Sequence, residues 1–273
     1  MLIIKYYWRV VMELEVLVAT MNQKDLSKYK QMNLQTNAIF ANQSNTFNLN
    51  VENIDGNIVK LITMNERGVG KNRNIALMHA TADILLMADD DLVYYDNYEN
   101  IVIEAFKKLK DADIIIFNID DESEDEKRRY NSKIKRIRQY NCLNYGTPRM
   151  AIKRNSQRKS NIWFSLLYGG GSEYSCGEDS LFLLEALRKG LKIYTFPISI
   201  SKLKKNDSTW FKGYNKRFYF DKGVWISNAF PKSKWLLVWY FALRFKQLDN
   251  ENNFLKILKF LINGIKFYKK GEN

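Results

Sequence analysis

The sequence is short of the residues that build thiolate, disulfide or imidazole chemistry. It holds 2 Cys and 1 His. Two thiols, Cys142 and Cys176, make no disulfide framework and fit a reduced compartment, and no Cys/His cluster has zinc-ligand spacing. The lone histidine, His79, falls in a stretch with helical spacing and reads as structural, since one imidazole cannot make a zinc site. With 3 Pro and 13 Gly the chain is neither loop-rich nor fibrous. No run of about 18–20 uninterrupted apolar residues is present, so no transmembrane helix is expected. The opening MLIIKYYWRVVMELEV does not read as a signal peptide, because Lys5 and Arg9 break its apolar stretch and no small-residue cleavage site follows. Met12 is an alternative start.

What is present is apolar surface and positive charge. Hydrophobic residues make up 46% and aromatics 14% of 273 residues, enough for a sizeable core and against disorder. The net charge of +13 favours an anionic partner: phosphate-bearing substrates, an anionic membrane or nucleic acid. An acidic run over 120–126 is followed by a basic run over 127–138. It reads as a solvated hairpin or loop; the alternative is a basic part that faces a phosphorylated acceptor or the membrane.

Short apolar runs alternate with helical patterns through the first half. Strands are expected at 15–20, 37–41, 58–63, 83–88 and 114–117, and helices at 26–35, 72–81 and 97–109. Further on, strands are expected at 150–153 and at 192–196, ending at Pro197, with a helix over 180–189 stopped by Gly190. This alternation predicts an α/β fold with a mostly parallel sheet flanked by helices. Ligands of such sheets bind beyond the carboxyl ends of the strands. Three polar clusters sit there, at 20–22, 42–44 and 89–91, and should share one rim. A domain over 12–220 is expected, followed by a helical, basic and aromatic extension over 221–273. Residues 254–268 place Phe254, Leu258, Leu261, Ile265 and Tyr268 on one helical face among lysines. That pattern suits a helix lying on an anionic membrane, or one packed on the domain with its lysines in water.

Three motifs carry chemistry. Asp89-Asp90-Asp91 follows an apolar strand, and clustered carboxylates repel one another unless a hard cation relieves them; Mg²⁺ or Mn²⁺ suits the cluster, and a solvated turn is the simpler alternative. Gly68-Val-Gly-Lys-Asn-Arg-Asn74 leads into a helix and suits phosphate, although it is neither a P-loop nor a dinucleotide fingerprint. Gly177-Glu-Asp-Ser180 puts carboxylates at a helix mouth, as a cap or as a general base.

In this order, over residues 14–215, the motifs resemble the family 2 glycosyltransferases, whose fold is GT-A, a Rossmann-like nucleotide-binding architecture. The opening strand with Thr20 and Asn22, the Gly68…Arg73-Asn74 helix start, the Asp89–Asp91 run, the Glu178-Asp179 pair and the segment Ser208-Thr-Trp210 carry the resemblance. It implies that Thr20, Asn22, Asn42, Arg73, Asp89, Asp90 and Trp210 bind the nucleotide-sugar. It also implies that Asp91 and Asp89 hold Mn²⁺ or Mg²⁺, with Asp90 as the alternative register, and that Asp179 is the catalytic base beside Glu178. The implied reaction is an inverting transfer from a UDP-sugar to a hydroxyl of a saccharide or polyprenyl-linked acceptor, at the inner face of the cell membrane in surface polysaccharide synthesis. Two departures stand out. Asn42 or Gln43 occupies the place of an acidic uracil-reading residue, and no histidine follows Asp179 to act as a metal ligand. A nucleic-acid-binding protein and a metal-dependent nucleotidyltransferase are the alternatives. The basic residues form no known reader motif, and the glycine- and lysine-rich opening of the nucleotidyltransferases is missing.

Overall fold

The structure, a computed structural model, describes residues 12–121, 130–204 and 213–270, without the side chains of 269 and 270. The chain runs β1 (Leu14–Met21), α1 (Ser27–Gln31), β2 (Asn37–Gln43), β3 (Asn48–Ile54), β4 (Asn57–Met64), α2 (Val69–His79), β5 (Ile84–Asp89), β6 (Leu92–Tyr94), α3 (Tyr98–Lys108) and β7 (Ile114–Asp120). It continues with β8 (Met150–Lys153), α4 (Arg154–Lys159), α5 (Glu178–Arg188), β9 (Ile193–Leu203), α6 (Lys216–Ala229), α7 (Lys234–Lys246) and α8 (Phe254–Lys270). The strands form one sheet in the order β3-β4-β2-β1-β5-β8-β7-β9-β6.

The α/β architecture with a mostly parallel sheet and a helical C-terminal region is therefore present. β1 pairs in parallel with β2 and β5, β2 with β4, and β7 with β9. β8 is inserted antiparallel between β5 and β7, so its neighbours on both sides point the same way. The central strands are apolar on both faces because helices cover both. Along β1, Leu17 faces one core with Ile39, Leu85 and Met87, while Val16 and Val18 face the other with Phe40 and Leu86. The period of two in a strand sends neighbours to opposite layers.

Several elements depart from the sequence expectations, among them the short β6 and α4. β3 was not anticipated: it is a polar edge strand paired with β4 through a turn in which Asp55 and Gly56 both have positive φ, 52° and 87°. An Asp-Gly pair between alternating residues is the sequence signal for that hairpin. β9 does not end at Pro197 but passes through it to Leu203. The register with β7 shifts between Ile116 and Asn118 and again before Ile119, and this irregularity accommodates the missing proline N–H. Residue 220 lies within α6, a helix the sequence pattern did not single out.

The helical region shares its core with the sheet. Tyr219, Val224, Trp225 and Ile226 of α6, Phe241 and Phe245 of α7, and Ile257, Leu261 and Ile265 of α8 belong to the same buried cluster as Phe182 and Ile193. The expected apolar face of α8 is thus largely internal: Leu258, Leu261 and Ile265 are buried. Packed on the domain, that face is unavailable to lipid. α6 and α8 cross where Gly223 meets Gly264; a Cβ on Gly264 would lie 2.1 Å from the Phe220 carbonyl oxygen. Gly264→Ala is therefore expected to destabilise the fold by about 2–3 kcal/mol through forced separation of the two helices. Urea unfolding checks this, and a loss within about 0.5 kcal/mol would mean the helices have room to part.

Candidate functional site

The carboxyl ends of β1, β2, β4 and β5 meet at one rim. Register places Thr20 beside Asn42, Asn42 beside Thr63, and Ala19 beside Asp89. The three polar clusters expected there do converge. Thr20 donates its hydroxyl to Asp90. Lys28 reaches the Asp90 carbonyl at 3.3 Å. The Asp91 carbonyl accepts from the Lys204 N–H at the end of β9.

The centre of the site is Arg73. It sits in the second turn of α2 and is buried. Nη2 donates to Asp89 at 3.1 Å, and Nη1 to Asp179 at 2.8 Å and to Glu178 at 3.1 Å. Its guanidinium lies 5.4 Å from the centre of the Phe164 ring. Burial works against its charge, and Asp179, Asp89 and Glu178 more than reverse that effect, holding the group above its ordinary value. The acidic strand tip and the acidic helix mouth, 90 residues apart in sequence, thus share one cation in one cleft.

Glu178 and Asp179 open α5, where the helix dipole favours negative charge. Gly177 precedes them with φ 115°, and a Cβ there would meet the Trp225 indole at 2.3 Å. The Trp225 Nε1 donates to the Gly177 carbonyl at 3.2 Å, fixing this entry to α6. Asp179 also accepts the Thr147 hydroxyl on the same oxygen that Arg73 holds. Its side chain is 27% exposed against 12% for Glu178, so Asp179 is the one that meets the cleft.

Other sequence-predicted residues are placed differently. Asn42 is fully buried, and its amide is spent on the Gln23 backbone, both N–H and carbonyl, and on Thr63. It clamps the loop after β1 and has no face left for a nucleobase. Asn22 lies at the exposed rim with φ 57°, its side chain 3.3 Å from Arg67. The glycine segment presents no open phosphate cradle, because the Gly68 N–H donates to Gln43 and the Val69 N–H to the Gly170 carbonyl. Gly70 instead lets α2 touch the Ser165 carbonyl. Trp210 lies outside the described residues. Thr147, Phe164 and Trp225 were not foreseen; each acts through a contact distant in sequence, and no local pattern marks them.

Burial, then the adjacent Asp179 charge, raises the Glu178 carboxyl to about 7 against the pull of Arg73. Burial likewise raises Asp89, with Arg73 opposing. A carboxyl whose folded value exceeds its unfolded one contributes stability in full below about 4.5 and loses it as pH rises through about 7. Glu178→Gln mimics the neutral acid. The melting temperature of the variant minus that of wild type is expected to increase from about pH 5 to about pH 8. A constant difference across that range would place the titration elsewhere.

The family model described as Glycosyl transferase family 2 matches residues 47–163, a segment containing Arg73 and Asp89–Asp91 but not Glu178 or Asp179. No curated protein matches the sequence. Among solved structures, S. aureus TarS 1–349 in complex with UDP-GlcNAc is similar with TM-score 0.58 and 16% identity, covering 80% of this chain and 68% of that one. S. aureus TarS 1–349 by itself is similar with TM-score 0.55 and 14% identity over 95% of this chain and 73% of that one. A longer TarS structure gives TM-score 0.57 and 17% identity, and this chain spans 40% of its length. At such identities the likeness is one of fold. A central segment of the chain thus matches the Glycosyl transferase family 2 model, and the sheet architecture around it is similar to the GT-A fold of those structures.

Proposed function

We propose that this protein is an inverting glycosyltransferase that moves a sugar from a UDP-sugar to a hydroxyl of a saccharide or polyprenyl-linked acceptor. The observation that carries this reading is the shared guanidinium: the strand-tip and helix-mouth carboxylates line one cleft, 3.1 Å and 2.8 Å from Arg73. The solved TarS complexes with UDP-GlcNAc and with UDP support a uridine diphosphate donor.

In this reading Thr20 and Asn22 line the nucleotide side, and Asp89 and Asp90 face the ribose or diphosphate. Asn42 acts indirectly, holding the loop that carries Gln23. Arg73 positions both acidic groups, bonding Asp89 through one nitrogen and Asp179 through the other. Thr147 and Arg73 hold one oxygen of Asp179 and leave the other to take the proton from the attacking hydroxyl. Trp210 is assigned to nucleotide-sugar binding by the Ser208-Thr-Trp210 motif alone.

A divalent cation fits the donor set. Asp91 and Asp89 bring hard carboxylate oxygens to the tip of β5, and Asp89 shares its one cationic partner, Arg73, with Glu178 and Asp179. Among the described residues no three His, Cys, Asp or Glu side chains are grouped to hold an ion unaided. Water and substrate phosphate would fill the other positions, as is usual for Mg²⁺ and comparable for Mn²⁺. Bound there, the ion supplies Lewis-acid neutralisation of the departing diphosphate. The setting we assign is the inner face of the cell membrane, in surface polysaccharide synthesis.

Asp179→Asn should lower transfer by ~10²–10⁴-fold while UDP-sugar binding persists. Turnover equal to wild type would remove Asp179 as the base. Chelation with EDTA should stop transfer, with Mn²⁺ or Mg²⁺ restoring it. Undiminished activity in chelator would eliminate the ion from the reaction.

A further inference from the structure

α7 is apolar on two opposite sides. Val238, Phe241, Ala242 and Phe245 are buried in the core. On the other side Trp235, Leu236, Trp239, Tyr240 and Leu243 stand between 50% and 75% exposed. Their spacing places them on one helical stripe. A helix apolar all round is ordinarily buried all round. Half of this one faces outward.

Charge says what meets that stripe. Lys232, Lys234, Arg244 and Lys246 flank it in sequence, with Lys246 also donating to the Asp249 carbonyl, and Lys256 follows at the start of α8. Of the two acidic residues in the connection from α7 to α8, Asp249 is buried and accepts the Tyr219 hydroxyl, which leaves Glu251. A stripe flanked by cations repels a second copy of itself and attracts an anionic surface. Trp and Tyr beside Leu suit a headgroup layer, which is apolar on one side and wet on the other. Among the described residues no helix is long and apolar enough to cross a membrane.

We propose that α7 seats the protein on an anionic lipid surface, with the Trp235–Leu243 stripe entering the headgroup layer and the flanking cations meeting lipid phosphate. α8, whose lysine pattern suggested this role, serves instead as the internal support of α6. The buried side of α7 is tied to the end of the domain that carries Glu178 and Asp179. Phe241 packs edge-on against Trp225 at 6.0 Å, and Trp225 holds the Gly177 carbonyl. A docked α7 therefore keeps Glu178 and Asp179 near the bilayer, which suits an acceptor carried on a lipid. That last consequence rests on the transferase reading; the lipid contact does not.

The test is co-sedimentation of the full chain with vesicles of phosphatidylglycerol and phosphatidylcholine in equal parts, against vesicles of phosphatidylcholine alone. Wild type is expected to bind the anionic vesicles preferentially. Leu236→Glu/Leu243→Glu should weaken that binding at least roughly tenfold, and Phe267→Ser on the exposed side of α8 should change it by less than about twofold. Equal binding by the double variant would overturn the proposal. So would light scattering that shows a wild-type dimer, broken by the same two substitutions, with no vesicle binding. Because sedimentation does not depend on turnover, its failure is separate from a failure of the transferase reading, which UDP-sugar turnover in vesicle-free buffer measures.

Discussion

One buried guanidinium organises the functional end of this molecule. Arg73 is joined to Asp89 at the tip of β5 and to Glu178 and Asp179 at the mouth of α5. None of these carboxylates is near another in sequence except the adjacent pair. Bringing like charges together in a partly dry cleft is unfavourable unless a cation sits among them, and a buried cation is unfavourable unless carboxylates surround it. The two requirements are met by the same contact. Breaking such a network by removing one partner typically costs ~3–5 kcal/mol, because a charge is left buried without compensation.

The network also sets the resting protonation of the site. Glu178, the less exposed carboxyl, is raised to about 7 by burial and by Asp179. A neutral Glu178 would relieve repulsion at the helix mouth and leave the more exposed Asp179 to the cleft, its one oxygen held by Arg73 and Thr147. Two adjacent carboxyls are thereby given different environments by a single turn of helix, a pattern by which enzymes separate acid and base roles.

Behind this end the C-terminal helices act as a support that belongs to the domain. Trp225 fills the space that a side chain on Gly177 would occupy and bonds to its carbonyl. α8 approaches α6 closely enough that glycine is needed on both, at 223 and 264. The inward face of α8 follows from this approach. The helix with the clearest basic amphipathic pattern spends its apolar residues on internal packing, and the less patterned α7, apolar all round, is the one left with apolar residues outside.

The sequence by itself determined the layered architecture. Apolar strands that end in polar clusters, alternating with helical periodicity, admit little besides an α/β sheet with a polar rim, and Asp89–Asp91 and Glu178-Asp179 were legible as chemistry because carboxylates at a strand end and a helix mouth are locally unusual. Tertiary structure alone decided which residues share the site. Arg73 reads locally as part of a glycine-rich helix start, and only the folded chain turns it inward toward three carboxylates; Asn42 reads as a base-binding residue until its amide is found spent on Gln23 and Thr63. Thr147 and Trp225 carry no local signal, since each acts through a partner 32 or 48 positions away. Periodicity records which face of an element is apolar. It does not record which neighbour covers that face, because the neighbour is supplied by chain distant in sequence, and so the outward side of α7 and the inward side of α8 were settled only by packing.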